Sequence, residues 1–444
     1  MKTLRTLHKR LMTILVFLFG LTSAIAQKVT IDGLKYFLYP DTHEAVIDNG
    51  NTWSEELVIP SEVSYNGQTY IVNGIAWLAF DNCTELTKVT IPKTIKAVIH
   101  HVLSENPEIG GAVSSDCMNP FVRCTTLESI EVDEANPIMK SVGGVLFSKD
   151  GTELYCYPAG IKSEKYVVPD GVTWIGNDAF GYNEHIVSVE LPTTVVKLCS
   201  AFSSCKRLEQ VNLPKDIAYL EAYLFRDCVN LKSIEIPSGV ARLGEQVFSG
   251  CSSLKKIVLP EGIGFIGGLA FRDCTSLETV EIPSSLECVS DGMFAGCTNL
   301  KEVTIKNGVT RISASAFQDC SSLMVLDLPA SITHIDPPAF RGCKFNSLII
   351  RGIFDERYLN KHIFDGMDTS GIIYASASEV EKFQKIYEGV VLPLGKYNPT
   401  GTGIQVISFS SDNPSPIYDI QGHRLSNPPQ KGIYIHDGKK NLAR

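Results

Sequence analysis

The chain lacks nearly every signature of site chemistry. It has no Walker loop, no Gly-x-Ser-x-Gly elbow, no His-Glu-x-x-His pair and no dinucleotide fingerprint, so nothing points to the common nucleotide-, acyl- or zinc-dependent enzymes. None of its 13 cysteines forms a Cys-x-x-Cys pair, which argues against a zinc ribbon or knuckle. Basic residues are the minority, 40 Lys plus Arg against 49 Asp plus Glu, for a net charge of −9. Nucleic-acid binding needs Lys and Arg concentrated on one face, so this balance argues against such a partner. Tryptophan is scarce, with three residues (Trp53, Trp77, Trp174). Nothing implies a cofactor.

Long apolar runs are also missing, apart from Leu11 to Leu21. That run falls short of the roughly 20 residues that span a bilayer, and no transmembrane helix is expected in the mature chain. Its surroundings give it another role. Lys2, Arg5, Lys9 and Arg10 precede it and Ala24-Ile25-Ala26 follows, the order of a cleaved secretory signal over residues 1–26. Removal of that segment leaves 36 basic against 49 acidic residues, or −13. The first cysteine after the run is Cys83, so no N-terminal lipid site is present. The expected location is secreted or at the cell surface, in association with the outer membrane.

What the chain has is a period. Phe-x-x-Cys-x-x-Leu-x-x-Val-x-Ile-Pro recurs from Phe202, Phe225, Phe248, Phe271, Phe294, Phe317 and Phe340; counted from Phe180, six of the seven intervals are 23 residues and the first is 22. A fixed period of this length marks a stacked solenoid, and Leu-x-x-Val-x-Ile is a leucine-rich repeat core. Val and Ile alternate inward on a short parallel strand, and Pro ends the strand because it cannot donate to the ladder. A Gly-Val step, as at Gly239-Val240, starts the return. The Ala-Phe pair is expected on a turn of helix or 3-10 helix that stacks Phe on Phe. Nine cysteines (Cys83, Cys124, Cys205, Cys228, Cys251, Cys274, Cys297, Cys320, Cys343) share one repeat position. Side chains in register point in parallel, so these are read as reduced, buried thiols rather than disulfides.

The fold class is therefore β-rich α/β: a right-handed leucine-rich repeat solenoid with parallel strands, short helical or 3-10 turns, end caps and a small C-terminal β module. Residues 27–79 form an N-terminal β cap, with a tight hairpin at Asn66-Gly67. Residues 80–350 form the array, with a hairpin inserted at about 142–158 around Lys149-Asp150-Gly151. Residues 351–397 form a C-terminal cap in which Ser378 starts a helix through Ile386. A linker occupies 398–416 and a β tail 417–444.

The Ala-Phe-x-x-Cys-x-x-Leu-x-x-Val-x-Ile-Pro unit closely resembles the BspA-like (Treponema-type) leucine-rich repeats of bacterial surface proteins, over most of residues 57–350. Asn183 departs from the pattern by replacing the repeat cysteine. The tail, with Tyr418-Asp419, Gly422, Leu425 and Lys431-Gly432-Ile433-Tyr434-Ile435, resembles the C-terminal sorting tail of exported Bacteroidetes proteins. The resemblance implies non-enzymatic adhesion or recognition of host or matrix proteins at a cell surface. The alternative is a structural or glycan-handling accessory of the envelope.

Candidate contact residues come from the outward position between the two inward strand residues. Read rung by rung it is Glu190, Asn212, Glu235, Val258, Glu281, Thr304 and Asp327, with acids on alternate rungs about 10 Å apart. That spacing lies near the carboxylate separation of inverting glycosidases, but an open strand face neither raises a carboxyl pKa nor excludes water. Avoidance of like charges on a solvated ladder is the plain reading. A ligand face for cationic partners, with Lys256 and Val258 as a local anchor, is the sharper one. Trp53, in a polar stretch, is a further candidate anchor. His100-His101 has no ligand partner at metal spacing.

Overall fold

Each repeat is a closed coil with one strand on each of two faces. The computed structural model describes residues 26–48, 55–99 and 119–397, together with four short strands (Ile417–Asp419, Arg424–Leu425, Gly432–His436 and Lys439–Ala443) that form an antiparallel sheet. Most of the signal segment, Trp53, His100-His101 and the 398–416 linker lie outside the described residues.

The strand of the Leu-x-x-Val-x-Ile segment builds a parallel front ladder. It runs through Glu56–Val58, Lys88–Ile91 and Ser129–Val132, then Lys165–Val167, Ser188–Glu190 and Gln210–Val211. It continues from Thr279–Ile282 to Val390–Pro393. In the coils between, Ile234, Ile236, Ile257 and Leu259 are buried at the same repeat positions. Proline ends the segment as expected, and its carbonyl then closes the turn. Pro237 O accepts from Val240 N–H at 3.0 Å, and Pro260 O from Ile263 N–H at 3.1 Å. The turn delivers the chain to a second, back ladder of two-residue strands, among them Tyr219–Leu220, Arg242–Leu243 and Phe265–Ile266.

Between the ladders runs a column of rings. From Phe180 to Phe340, successive phenylalanines stack with centroids 5.1 to 6.2 Å apart and ring planes within 2° to 16°. Tyr157 extends the column at 5.1 Å from Phe180. It takes the Phe place in the coil where the period breaks. Truncation of one such ring to Ala would cost about 3–5 kcal/mol. Beside the rings lies the thiol column, where each Sγ donates to the Phe carbonyl of the preceding coil: Cys228 to Phe202 and Cys251 to Phe225 at 3.1 Å, Cys274 to Phe248 at 3.2 Å. Burial pushes these thiols up, Cys297 and Cys343 to about 12. The described cysteines are all free of disulfides.

Three expectations need correction. The Ala-Phe segment is a sequence of turns and not a helix or 3-10 helix. The residue two before Phe and the residue before Cys both take left-handed backbone angles, as in Tyr223 (φ 63) and Asp227 (φ 58), and this pair brackets the turn and stops helical propagation. The helix of the C-terminal cap spans Val380–Gln384 and not residues 378–386, with no side-chain cap from Ser378. Ser378 instead donates to the fully buried Glu379, which also accepts from Phe354 N–H and Lys382 Nζ. The inserted hairpin is a three-stranded meander, Met139–Val142, Val145–Ser148 and Glu153–Cys156, whose last strand joins the back ladder beside Trp174. The Asn66-Gly67 hairpin forms as expected, with both residues at positive φ.

The left-handed position before Cys carries a further rule. It reads Asp227, Gly250, Asp273, Gly296, Asp319, Gly342, because each Asp carboxylate occupies the space that a Cβ on the next coil's glycine would need. Gly296 (φ 76) is thus constrained twice, by backbone angle and by Asp273. Gly296→Ala should cost about 1–2 kcal/mol for the backbone and more for the collision. Urea unfolding should show Asp273→Gly recovering the second part only. A Gly296→Ala protein as stable as the parent would contradict this packing rule.

Candidate ligand-binding faces

The front ladder sets the predicted residues in one row. Val167 registers with Glu190, Glu281 with Thr304, and Thr304 with Asp327. Glu235, Val258 and Glu281 project outward and are exposed, Val258 to 66%. The row is therefore present, but most of its charge is already matched. Glu190 pairs with Lys165 at 2.5 Å, Glu281 with Lys306 at 2.6 Å, and Asp327 takes Arg351 through two parallel bonds of 2.6 and 2.7 Å. Lys306 also donates to Glu261, and its hydrogen bonds to the two carboxylates hold its ammonium above its ordinary pKa. Asp327 does the same for Arg351. These pairs are exposed and screened by solvent, so they contribute little to stability. Their main effect is to neutralise the acidic rungs.

Asn212 is more than a neutral spacer. Its amide accepts from Leu191 N–H at 2.8 Å and donates to Leu191 O at 2.9 Å, acting as a strand backbone where the ladder is irregular. Glu235 and Lys256 differ from their neighbours, for neither has an ion-pair partner among the described residues. Lys256 stands beside Thr279 through a backbone bridge. The front face thus has an apolar residue at its middle, two unmatched charges around it, and matched charges towards either end.

The back ladder carries a second row that the repeat consensus does not mark. Its outward residues are Trp174, Lys197, Tyr219, Arg242, Phe265, Cys288, Arg311 and His334. Strand register places Trp174 beside Lys197, Tyr219 beside Arg242, and Arg242 beside Phe265. The Lys197 ammonium lies 3.9 Å from the Trp174 ring centroid, and the Trp174 indole N–H donates to Cys199 Sγ at 3.1 Å. Trp174 and Trp77 are half-buried on the array, in keeping with a packing role. The signal for this row was the residue preceding the last inward position of each return, which alternates between aromatic and basic from Trp174 to Phe265.

Among the described residues, no group of three or more His, Cys, Asp or Glu side chains is placed to hold a metal ion, and no helix is long and apolar enough to cross a membrane.

The repeats match a known family. The chain matches the model of the BspA type leucine rich repeat region in six copies, over residues 70–149, 153–267 and 243–369. It is similar to a leucine-rich repeat protein from Bacteroides ovatus, at 21% identity over 82% of this chain and 98% of that chain, with a TM-score of 0.45. It is also similar to a leucine rich cell surface protein from Faecalibacterium prausnitzii, at 21% identity over 73% and 96% of the two chains and a TM-score of 0.41. A leucine rich repeat protein of T. pallidum aligns at 20% identity over 67% and 91%, with a TM-score of 0.26. No curated protein matches the chain.

Proposed function

The chain belongs to the BspA-type leucine-rich repeat family, and from that premise we propose that it is an exported, non-enzymatic cell-surface protein that binds a macromolecule through its front ladder. The partner is a protein of the host or of an extracellular matrix. The middle of the front row supports this reading. Val258 offers an exposed apolar contact, and Glu235 and Lys256 beside it are free to meet opposite charges. Glu190, Glu281 and Asp327, each matched by a cation, form a polar rim around that centre. All stand on a packed solenoid, so little conformational entropy is lost when a partner docks. Trp53 is proposed as a further anchor on the N-terminal side, on sequence grounds.

Export rests on the N-terminal pattern. The first strand, Gln27–Ile31, begins directly after Ala26, so cleavage there would leave the fold whole. The segment 417–440 is proposed as a sorting tail that takes the protein to the surface.

Two outcomes are expected. N-terminal sequencing of protein recovered from the envelope or medium should start at Gln27, and an intact Met1 on that material would contradict export. In a binding screen against matrix proteins, Val258→Asp combined with Glu235→Lys should weaken the positive interaction at least tenfold without lowering the melting temperature. If the folded double variant binds unchanged, the front ladder is not the site.

A further inference from the structure

Seven arginines among the described residues lie against a carboxylate. Arg242 does not. Its guanidinium carbon lies 5.7 Å from the Tyr219 ring centroid and 5.0 Å from that of Phe265, and it has no ion-pair partner among the described residues. The three residues occupy consecutive rungs of the back ladder in direct register. Arg242 and Phe265 are exposed, Phe265 to 46%. A guanidinium held between two rings keeps its N–H donors along its edge, and the rings fix the plane of that fork before any ligand arrives. Such a fork suits a carboxylate or a sulfate, which accept two parallel bonds.

The surface beside this row is flat. The neighbouring outward positions are Ala218, Ala241 and Gly264, all exposed, and a Cβ placed on Gly264 would meet nothing within 4 Å. A second cation, Lys197, lies on the coil before Tyr219, two rungs from Arg242, which is about 10 Å at the spacing of paired strands. Glu221 follows Leu220 and shares the field of Lys197, so Arg242 is the stronger anion site of the two. The Arg242 strand is hydrogen-bonded to a strand on each side. It therefore has no open edge on which an extended peptide could add as a strand.

We propose that this row binds an anionic polysaccharide, the edge of Arg242 taking a carboxylate or sulfate while the sugar chain lies along the Ala218–Ala241–Gly264 shelf. A linear polymer with an anionic group on every sugar or every second sugar presents charges that recur over about two rungs, the interval from Lys197 to Arg242. The exposed edges of Tyr219 and Phe265 supply apolar contact to sugar C–H groups, and the shelf admits flat rings without needing a pocket. A cationic row of this kind on a chain of net charge −9 has the sign to draw an anionic polymer to one face only. This site is separate from the front ladder and does not depend on what binds there.

The test uses the full chain at low salt with heparin oligosaccharides and polygalacturonate as probes, and neutral dextran and poly-glutamate as comparisons. One or both anionic polysaccharides should bind, with affinity falling as salt rises, and dextran should not. Arg242→Gln should weaken binding at least tenfold with no change in melting temperature. Arg242→Lys should fall between, since it keeps the charge and loses the fork. Arg357→Gln, in the C-terminal cap and outside both rows, should have no effect. The proposal is overturned if neither polysaccharide binds, or if folded Arg242→Gln binds as well as the parent. It is also overturned if poly-glutamate binds at Arg242 as tightly as the polysaccharides, which would make the partner an acidic protein.

Discussion

The fold depends on a hydrogen bond between coils, from a cysteine thiol to the carbonyl of the preceding phenylalanine. The turn that carries each Phe ring inward also aims its backbone carbonyl into the core, where water cannot reach it. The next coil's thiol meets it at 2.9 to 3.2 Å from Cys124 to Cys343. Each such carbonyl also accepts from the backbone N–H of the cysteine in its own coil, as Phe225 O does from Cys228 N–H at 3.1 Å; the thiol fills its second lone pair and contributes about 1 kcal/mol per coil. The bond also fixes one coil over the next, so the rings stack and the same residue of every repeat falls on the same line. Where the thiol is absent, an amide replaces it. Asn183 donates towards Pro158 O and accepts from two backbone N–H groups.

From this register follows the character of the surface. Side chains at one repeat position form a straight line with one residue per rung, so surface chemistry is written in lines rather than in pockets. Buried lines are uniform because they must pack. The Asp–Gly alternation before the cysteines shows that even a half-exposed line is constrained by contact between successive coils. Outward lines are free to vary, and the two ladders use that freedom differently. The front row is matched by Lys165, Lys306 and Arg351 towards its ends. The back row matches cations with rings.

Much of this was legible in the sequence. The period gives the parallel ladder, the inward Val and Ile, the ring stack and the thiol line, because each is one residue type at one repeat position. The front row is legible for the same reason. Its neutralisation is not, since Lys165 opens its strand while Lys306 and Arg351 follow the ends of theirs, and all three meet the acids only once the coils are stacked. The role of Asn212 and that of buried Glu379 depend likewise on backbone groups that no spacing reveals. Tyr157 escapes because it replaces Phe where the period is broken. The expected helical turn fails for a backbone reason: residues such as Leu269 (φ 57) and Asp273 (φ 57) take left-handed angles that propensity alone would not assign to them. The back row was hidden because it lies in the variable return segment, where the alternation of ring and cation has no consensus letter.

The central claim is that the repeat cysteine is a donor and not a space-filler, and Cys251 tests it most directly, since it bonds to Phe225 O in the middle of the array. Unfolding free energies of Cys251→Ala and Cys251→Ser should be compared with the parent. Alanine leaves Phe225 O with the Cys228 N–H alone and should lose about 1 kcal/mol beyond its cavity. Serine keeps a donor and should be the more stable of the two by about 1 kcal/mol. A serine variant no more stable than the alanine variant would show that the thiol only fills space, and the account of how the coils are registered would then be wrong.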